Sequence, residues 1–517
     1  MKKTITIESI LGGFTQTQYF GSSDGYNSAI GVDPDYPIGS DVKTSGMLVP
    51  TRYEKFSGAN ITGNPKWIIT NPEDEKVYVY DDAGQVASYS SALGSETDIT
   101  SPTSGAGNGA AFYNNYIYLA TPTNVARYGP MDGTPAIAQN VWTAATLGSQ
   151  TALGNPTYPS IRGVTLPNHV MHMHGDNALY FSDVVNNQGV LHKIKTTKTT
   201  VNGDTNDGSL YNALDLPSGF YPTCIESYST DLVIGAIQTL DSTLNQGRAA
   251  LFFWDAVNTN TFYRGPVYLP DPLVTALLNV NGTIYIFSGN AQNGVRVSRY
   301  IGGESVSEVA YFEEGNPPLA GAVDALGNRV NFGAYTTYPE NSASVFALGS
   351  KRRDLPFGLH NVVKTTSSGA NQFVTALKYV QQSSSVKPKL VAGWRDDSAK
   401  GLDKESSTAT YSSVWRSKMF NVGNKFQISK LIIPLGATLA TNMSVIPKIY
   451  IDDGSTIKTL DTINSTNFSG RKAVYKRPNL SDAIGENNFF IELNWEGTVE
   501  LPVLLPIVIE LDVNKDR

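Results

Sequence analysis

Three of the five histidines crowd into one stretch, Asn168-His-Val-Met-His-Met-His-Gly-Asp176. If that stretch is a β-strand, residues two apart share a face, so His172 and His174 point the same way and Asp176 follows. Two imidazoles and a carboxylate are a donor set for a divalent ion. The competing reading is a polar strand edge facing a channel or solvent, with Met171 and Met173 alternating against the histidines. The pattern assigns no metal ligand, and no cofactor is expected.

Other chemistry is thinner still. Asp183, Glu226 and Asp255 are carboxylates of the kind a glycosidase pairs, but such partners come from distant strands and spacing cannot join them. Each reads as a turn or edge residue. Neither a Gly-x-Ser-x-Gly elbow nor a His-Glu-x-x-His pair stands out. Asn202-Gly-Asp-Thr-Asn-Asp-Gly208 has the oxygens and glycines of a calcium loop without the later bidentate glutamate, so it reads as a turn. The single cysteine, Cys224, allows no intrachain disulfide and reads as a small buried hydrophobe. No catalytic residue is assigned, and the chain is expected not to be an enzyme.

The net charge of −7 argues against binding through phosphate neutralisation. The basic clusters, Lys351-Arg352-Arg353 and the spaced Lys193, Lys195 and Lys198, read as solvated turns, so no nucleic-acid partner is expected. No run approaches 18 apolar residues, and no membrane insertion is expected. The first residues, Met1 to Gly13, lack the apolar core of a signal peptide.

The elements that must position these residues are strands. Helical periodicity is nearly absent over the 517 residues, and runs of four to eight residues rich in Val, Ile, Tyr and Phe recur between turn clusters. Charged residues are only 16%, against about 25% in an average soluble protein. The 27 tyrosines and 20 phenylalanines supply ample surface to bury.

A loose repeat emerges when the strands are aligned on Val77, Ile117, Leu179, Leu232, Ile284, Val330 and Leu390. Each follows a turn of Asn, Asp, Gly or Ser, and the mean spacing is about 52 residues, the length of a four-stranded propeller blade. A lone blade exposes both faces, and a ring of blades covers them. The fold expected is all-β: a propeller of about seven blades over residues 66–405, with residues 1–65 as an extended arm that ends in a strand near Met47 to Arg52 and lies on another surface, or else as a long coil packed on its own domain. A polar linker, Arg395 to Ser407, leads to a β-sandwich over residues 406–517. In that last part Asp452-Asp-Gly454 between two strands marks a hairpin. The competing architecture is a pair of irregular sandwiches.

Leu11-Gly-Gly-Phe-Thr-Gln-Thr-Gln-Tyr-Phe, Ile30-Gly-Val-Asp-Pro-Asp-Tyr-Pro37, Ser45-Gly-Met-Leu-Val-Pro-Thr, Glu54-Lys-Phe-Ser-Gly58 and Asn108-Gly-Ala-Ala-Phe-Tyr-Asn-Asn-Tyr-Ile-Tyr118 together resemble β-propeller structural proteins of tailed bacteriophages. Ser413-Val-Trp-Arg-Ser-Lys-Met-Phe-Asn-Val-Gly-Asn-Lys-Phe-Gln427 is similar to the region after the propeller in such proteins. The resemblance carries no functional residues. It implies a structural component of the virion, in the tail, neck or fibre-attachment region, assembled in the bacterial cytoplasm. The partners expected are other virion proteins and further copies of this chain in a symmetric ring or cluster. The alternative is a propeller that binds a host surface glycan, and a third option is a polysaccharide-degrading propeller enzyme.

Overall fold

The computed structural model describes residues 1–10, 12–14, 25–34, 47–56, 61–71, 76–90, 92–94, 96–99, 106–142, 153–195, 209–238, 240, 247–257, 264–290, 294–313, 315–336, 340–350, 358–381 and 388–514. The loop 202–208, Lys198 and Lys351-Arg352-Arg353 lie outside them. So do parts of the segments that carry the resemblance.

The described residues form seven antiparallel four-stranded sheets. Blade 1 comprises Pro65–Thr70, Val77–Asp81, Val86–Tyr89 and Glu96–Ile99. Blade 2 is Ala110–Tyr113, Tyr116–Ala120, Val125–Gly129 and Ala136–Trp142, and blade 3 is Met171–His174, Ala178–Val185, Gln188–Ile194 and Leu210–Asp215. Blade 4 runs Tyr221–Tyr228, Asp231–Ile237, Ala250–Trp254 and Arg264–Tyr268, and blade 5 runs Leu273–Val280, Thr283–Gly289, Val295–Tyr300 and Ser307–Phe312. Blade 6 holds Val323–Leu326, Arg329–Thr336, Ser342–Leu348 and His360–Lys364. Blade 7 holds Phe373–Val380, Lys389–Arg395 and Lys400–Glu405, and its outermost strand is Tyr53–Lys55 from far upstream. The first strand of each blade touches the first strand of the next, and blade 7 touches blade 1, so the sheets close into a β-propeller.

The seven residues that mark the repeat all lie in the second strand of successive blades. These strands are covered on both sides by neighbouring blades. Ala178–Val185, Asp231–Ile237 and Arg329–Thr336 are buried along their whole length. Burial on two faces removes the need for alternation, so the sequence there reads as a largely apolar stretch without period two. Outer strands differ: Ser307–Phe312 exposes Ser307, Glu308, Val309 and Tyr311.

Two segments close the axis from one side. The short 3-10 turn Ala320–Ala322 contacts the first strands of blades 1, 5 and 7. The hairpin of Ser160–Ile161 and Val164–Thr165, in the connection between blades 2 and 3, reaches blades 6 and 7. There the Arg162 guanidinium lies 3.3 Å from the Tyr335 ring centroid, and the Arg162 carbonyl accepts from Arg395 Nη1 at 2.7 Å. Ile161, Val164 and Leu166 join one apolar core with Leu273, Leu319 and Phe373.

Most of the remaining strands form a two-sheet sandwich, and a third small sheet, in the order Val32–Asp33, Met47–Pro50, Val503–Leu504, shares its apolar core. One sheet has the order Lys2–Ile7, Ile507–Val513, Phe426–Pro434, Lys472–Lys476. The other runs Gly13–Phe14, Gly25–Ile30, Val414–Ser417, Asn488–Trp495, Val445–Ile451, Thr456–Thr459. Between them pack Trp415, Phe426, Leu431, Tyr475, Ile491 and Trp495. In Phe426–Pro434 the buried positions shift phase after Ile428, where the pairing with Ile507–Val513 skips Ser429 as a bulge. Asp452, Asp453 and Gly454 turn the hairpin with positive φ of 49°, 57° and 85°.

Two boundaries differ from the sequence expectation. Residues 1–65 are not an arm laid on another surface: the described parts supply strands to both sheets of the sandwich and the last strand of blade 7. Their weak alternation has a physical reason, because Gly25–Ile30 and Met47–Pro50 are buried at every position. Nor is Arg395 to Ser407 a linker. Lys400–Glu405 is a strand, and its polar Asp403 is buried, accepting from Trp394 Nε1 at 2.8 Å and Thr366 Oγ1 at 2.8 Å.

Candidate functional site

His172 and His174 share a face, as strand periodicity requires, and that face meets blade 4. Ser227 Oγ lies 2.7 Å from His172 Nε2 and 2.9 Å from His174 Nδ1. His174 Nε2 stands 3.0 Å from the Thr230 carbonyl, an acceptor only, so in the neutral ring that nitrogen carries the proton. Nδ1 of His174 then accepts from the Ser227 hydroxyl. The hydroxyl, having given its one proton, accepts from His172 Nε2, which leaves Nδ1 of His172 as a bare acceptor. Burial lowers the basicity of His172, and the Glu226 carboxylate 3.6 Å away partly restores it.

Asp176 does not join them. It accepts from Tyr180 Oη at 2.8 Å and pairs with Lys193 Nζ at 2.8 Å. Burial works to raise its carboxyl, but these two donors outweigh it and hold the group below the usual carboxylate range. Among the described residues no three His, Cys, Asp or Glu side chains converge as a metal site. The set His172, His174 and Asp176 is therefore split between a hydroxyl clamp and a lysine pair.

Of the three carboxylates, Asp183 is buried inside blade 3. It accepts from His192 Nε2 at 3.0 Å and from the backbone N–H groups of Gly154 at 2.9 Å and Val184 at 2.7 Å, with His169 Nδ1 at 3.6 Å. Burial opposes the charge, and these donors hold the carboxyl below its ordinary value. With no exposed surface it is a structural anchor. Asp255 is a turn residue that accepts from the backbone N–H of Val257 at 3.0 Å. Cys224 is buried, and burial pushes its thiol up to about 12.

Glu226 does face a cavity. A cup of about 270 Å³ lies on the propeller axis, lined by first-strand residues that include Trp67, His172, Glu226 and Lys378, with Asp324 of blade 6 and Gly321 of the axial turn. Asp324 accepts from the backbone N–H of Tyr379 at 2.6 Å and lies 3.2 Å from Lys378 Nζ. Sequence reasoning missed Trp67, Asp324 and Lys378, because only ring closure brings blades 1, 6 and 7 to one place.

A second polar cluster joins the two bodies. Arg329 of blade 6 pairs with Asp33 of the sandwich, its Nη1 donating to both carboxylate oxygens, 3.1 Å from Oδ1 and 2.9 Å from Oδ2. Their side chains are 2% and 8% exposed, so the pair is out of water. Beside it the Tyr26 hydroxyl and His360 Nδ1 share a hydrogen bond of 2.8 Å.

Burial drives the basicity of His360 down to about 3, with Arg329 adding to the shift and Asp33 opposing it. The folded state therefore favours the neutral ring. Its contribution is complete above the unfolded imidazole pKa, near 6.5, and is lost as the pH falls from there toward 3. One such group costs about 1.4 kcal/mol per pH unit across that window. Urea denaturation between pH 7 and pH 4.5 is expected to show His360→Gln losing less stability than the parent, by about one proton's worth of slope. Equal slopes would show that His360 is not held neutral.

No family model matches this chain, and no curated protein does either. Solved structures similar to it include the β-propeller domain of Myceliophteria_thermophila Cps50 (Swd1), at 10% identity and a TM-score of 0.42, covering 69% of this chain and 100% of that one. Chaetomium thermophilum Raptor is similar at 12% identity and a TM-score of 0.44, covering 69% of this chain and 30% of that one. The Neurospora crassa Pan2 WD40 domain follows at 11% and 0.40, covering 68% and 94%. The propeller rests on the sheet order of this chain itself.

Proposed function

We propose that this chain is a non-enzymatic structural component of a tailed-phage virion that acts through subunit assembly. The observation that carries the assembly reading is an apolar rim on two adjacent blades. Tyr268 on the outer strand of blade 4 is 48% exposed, and Val309 and Tyr311 on that of blade 5 are 39% and 43% exposed. Arg248 lies 5.9 Å from the Tyr268 ring centroid and Arg296 lies 4.8 Å from that of Tyr311. Exposed Tyr is among the residue types that anchor protein interfaces, and an arginine stands beside each of the two rings. The phage setting rests on the sequence resemblance, and the stiff propeller–sandwich body suits a particle component.

Light scattering on the purified protein is expected to give an oligomer, and Val309→Asp is expected to return it to monomers by placing a charge in the contact. Mass spectrometry of purified particles is expected to detect the chain. A strictly monomeric parent that is also missing from particles would overturn the reading.

A further inference from the structure

We propose that the axial cup binds a small hydroxylated amine, with the size and chemistry of a single amino-sugar ring. The cup is a blind pocket. Ala320–Ala322 crosses the axis beneath it, and Gly321 packs so closely that an added Cβ would stand 2.1 Å from the Lys66 carbonyl oxygen. A ligand therefore enters and leaves by one mouth. At about 270 Å³ the space falls just below the range of drug-sized pockets, about 300–1,000 Å³, which matches one ring rather than a chain of them.

The polar groups in the cup are mostly acceptors. His172 presents its unprotonated Nδ1, by the hydrogen-bond chain through Ser227 and His174. Glu226 uses Oε1 to take the backbone N–H of Ser227 at 2.8 Å and keeps a second carboxylate oxygen. Asp324 is held by Tyr379 and Lys378. The one donor side chain among these four, Lys378, is already paired with Asp324. With His172 neutral, two carboxylates and one ammonium leave one net negative charge. An acceptor-rich, anionic cup matches a ligand rich in N–H and O–H donors that carries a positive charge. The Trp67 indole N–H is taken by the Asn108 carbonyl at 2.6 Å, so Trp67 offers the ligand apolar surface only. Amino-sugar rings have an apolar face of that kind beside their hydroxyls. This inference is independent of the assembly reading and stands or falls separately from it.

The test is calorimetric titration of the full chain with glucosamine at neutral pH, with glucose and N-acetylglucosamine in parallel. Saturable one-site binding of glucosamine is expected, weakened at least tenfold by N-acetylation of the ligand and by Glu226→Gln, which keeps the side-chain shape. Leu278 also lines the cup, and Leu278→Trp, which fills it without changing its charge, is expected to abolish binding; unchanged melting temperatures for Glu226→Gln and Leu278→Trp serve as the folding controls. Absent glucosamine binding, equal affinity for glucose and glucosamine, or binding unaltered by Glu226→Gln would each overturn the proposal.

Discussion

Protein lacking residues 1–56 is expected to be recovered aggregated or without fixed tertiary structure. The deletion removes Tyr53–Lys55 from blade 7 and strands from both sheets of the sandwich. Tyr26, Ile30, Val32, Leu48 and Val49 go with it, each no more than 2% exposed. Fully burying one such side chain contributes about 1.5–3 kcal/mol. Five of them amount to about 8–15 kcal/mol, as much as the whole stability of a typical domain at about 5–15 kcal/mol. Near-ultraviolet circular dichroism and gel filtration of the truncated protein check this. Were the segment an arm resting on some other molecule, both measurements would match the full chain. A milder probe is Leu48→Ala, expected to cost about 2–5 kcal/mol in urea denaturation.

The second large effect is expected from Arg329→Met. It leaves the Asp33 carboxylate buried with its cationic partner gone. Removing one member of a buried pair costs about 3–5 kcal/mol, because the remaining charge is uncompensated. The double variant Asp33→Val with Arg329→Met removes both charges and is expected to recover most of that loss. Denaturant midpoints of the parent, both single variants and the double variant form the cycle. Additive losses would show that the two side chains do not depend on each other. Because Asp33 belongs to the sandwich and Arg329 to blade 6, the single variant is also expected to loosen one body from the other. Faster amide exchange in Val32–Asp33 and at the start of Arg329–Thr336 would report that loosening.

Much of the propeller is legible in the chain. Val77, Ile117, Leu179 and the four later markers find the second strands because those strands are sandwiched between blades, so their apolar residues cluster and the few polar ones, such as Asp183 and Arg329, are buried with partners. First strands are harder to see. Met171–His174 and Val323–Leu326 are short, partly open to the axis and mixed in polarity. The tie between the two ends was invisible for another reason. Lys2–Ile7 has six residues that alternate acceptably as a strand, but nothing local specifies Ile507–Val513 as the partner. The same limit governs the cup. His172 and Glu226 stood out as residue types, while Asp324 and Lys378 gained meaning only from a closed ring. The histidine motif read correctly as a shared face and incompletely as chemistry, since the group both rings meet is a serine on the next blade.

The pairing of Lys2–Ile7 with Ile507–Val513, reinforced by the Met1 amino group donating to the Val513 carbonyl at 2.8 Å, sets the order of events on the ribosome. Translation runs at about 5–20 residues per second, so the leading strand is exposed for roughly 25–100 s before its mate is made. In that interval its backbone N–H and C=O groups are unmatched, and nascent neighbours on the same messenger are within reach. Lys2 and Lys3 at its start supply the charge that discourages such pairing. Vectorial synthesis thus makes the sandwich mature after the ring, which can close once Lys400–Glu405 has emerged and captured Tyr53–Lys55.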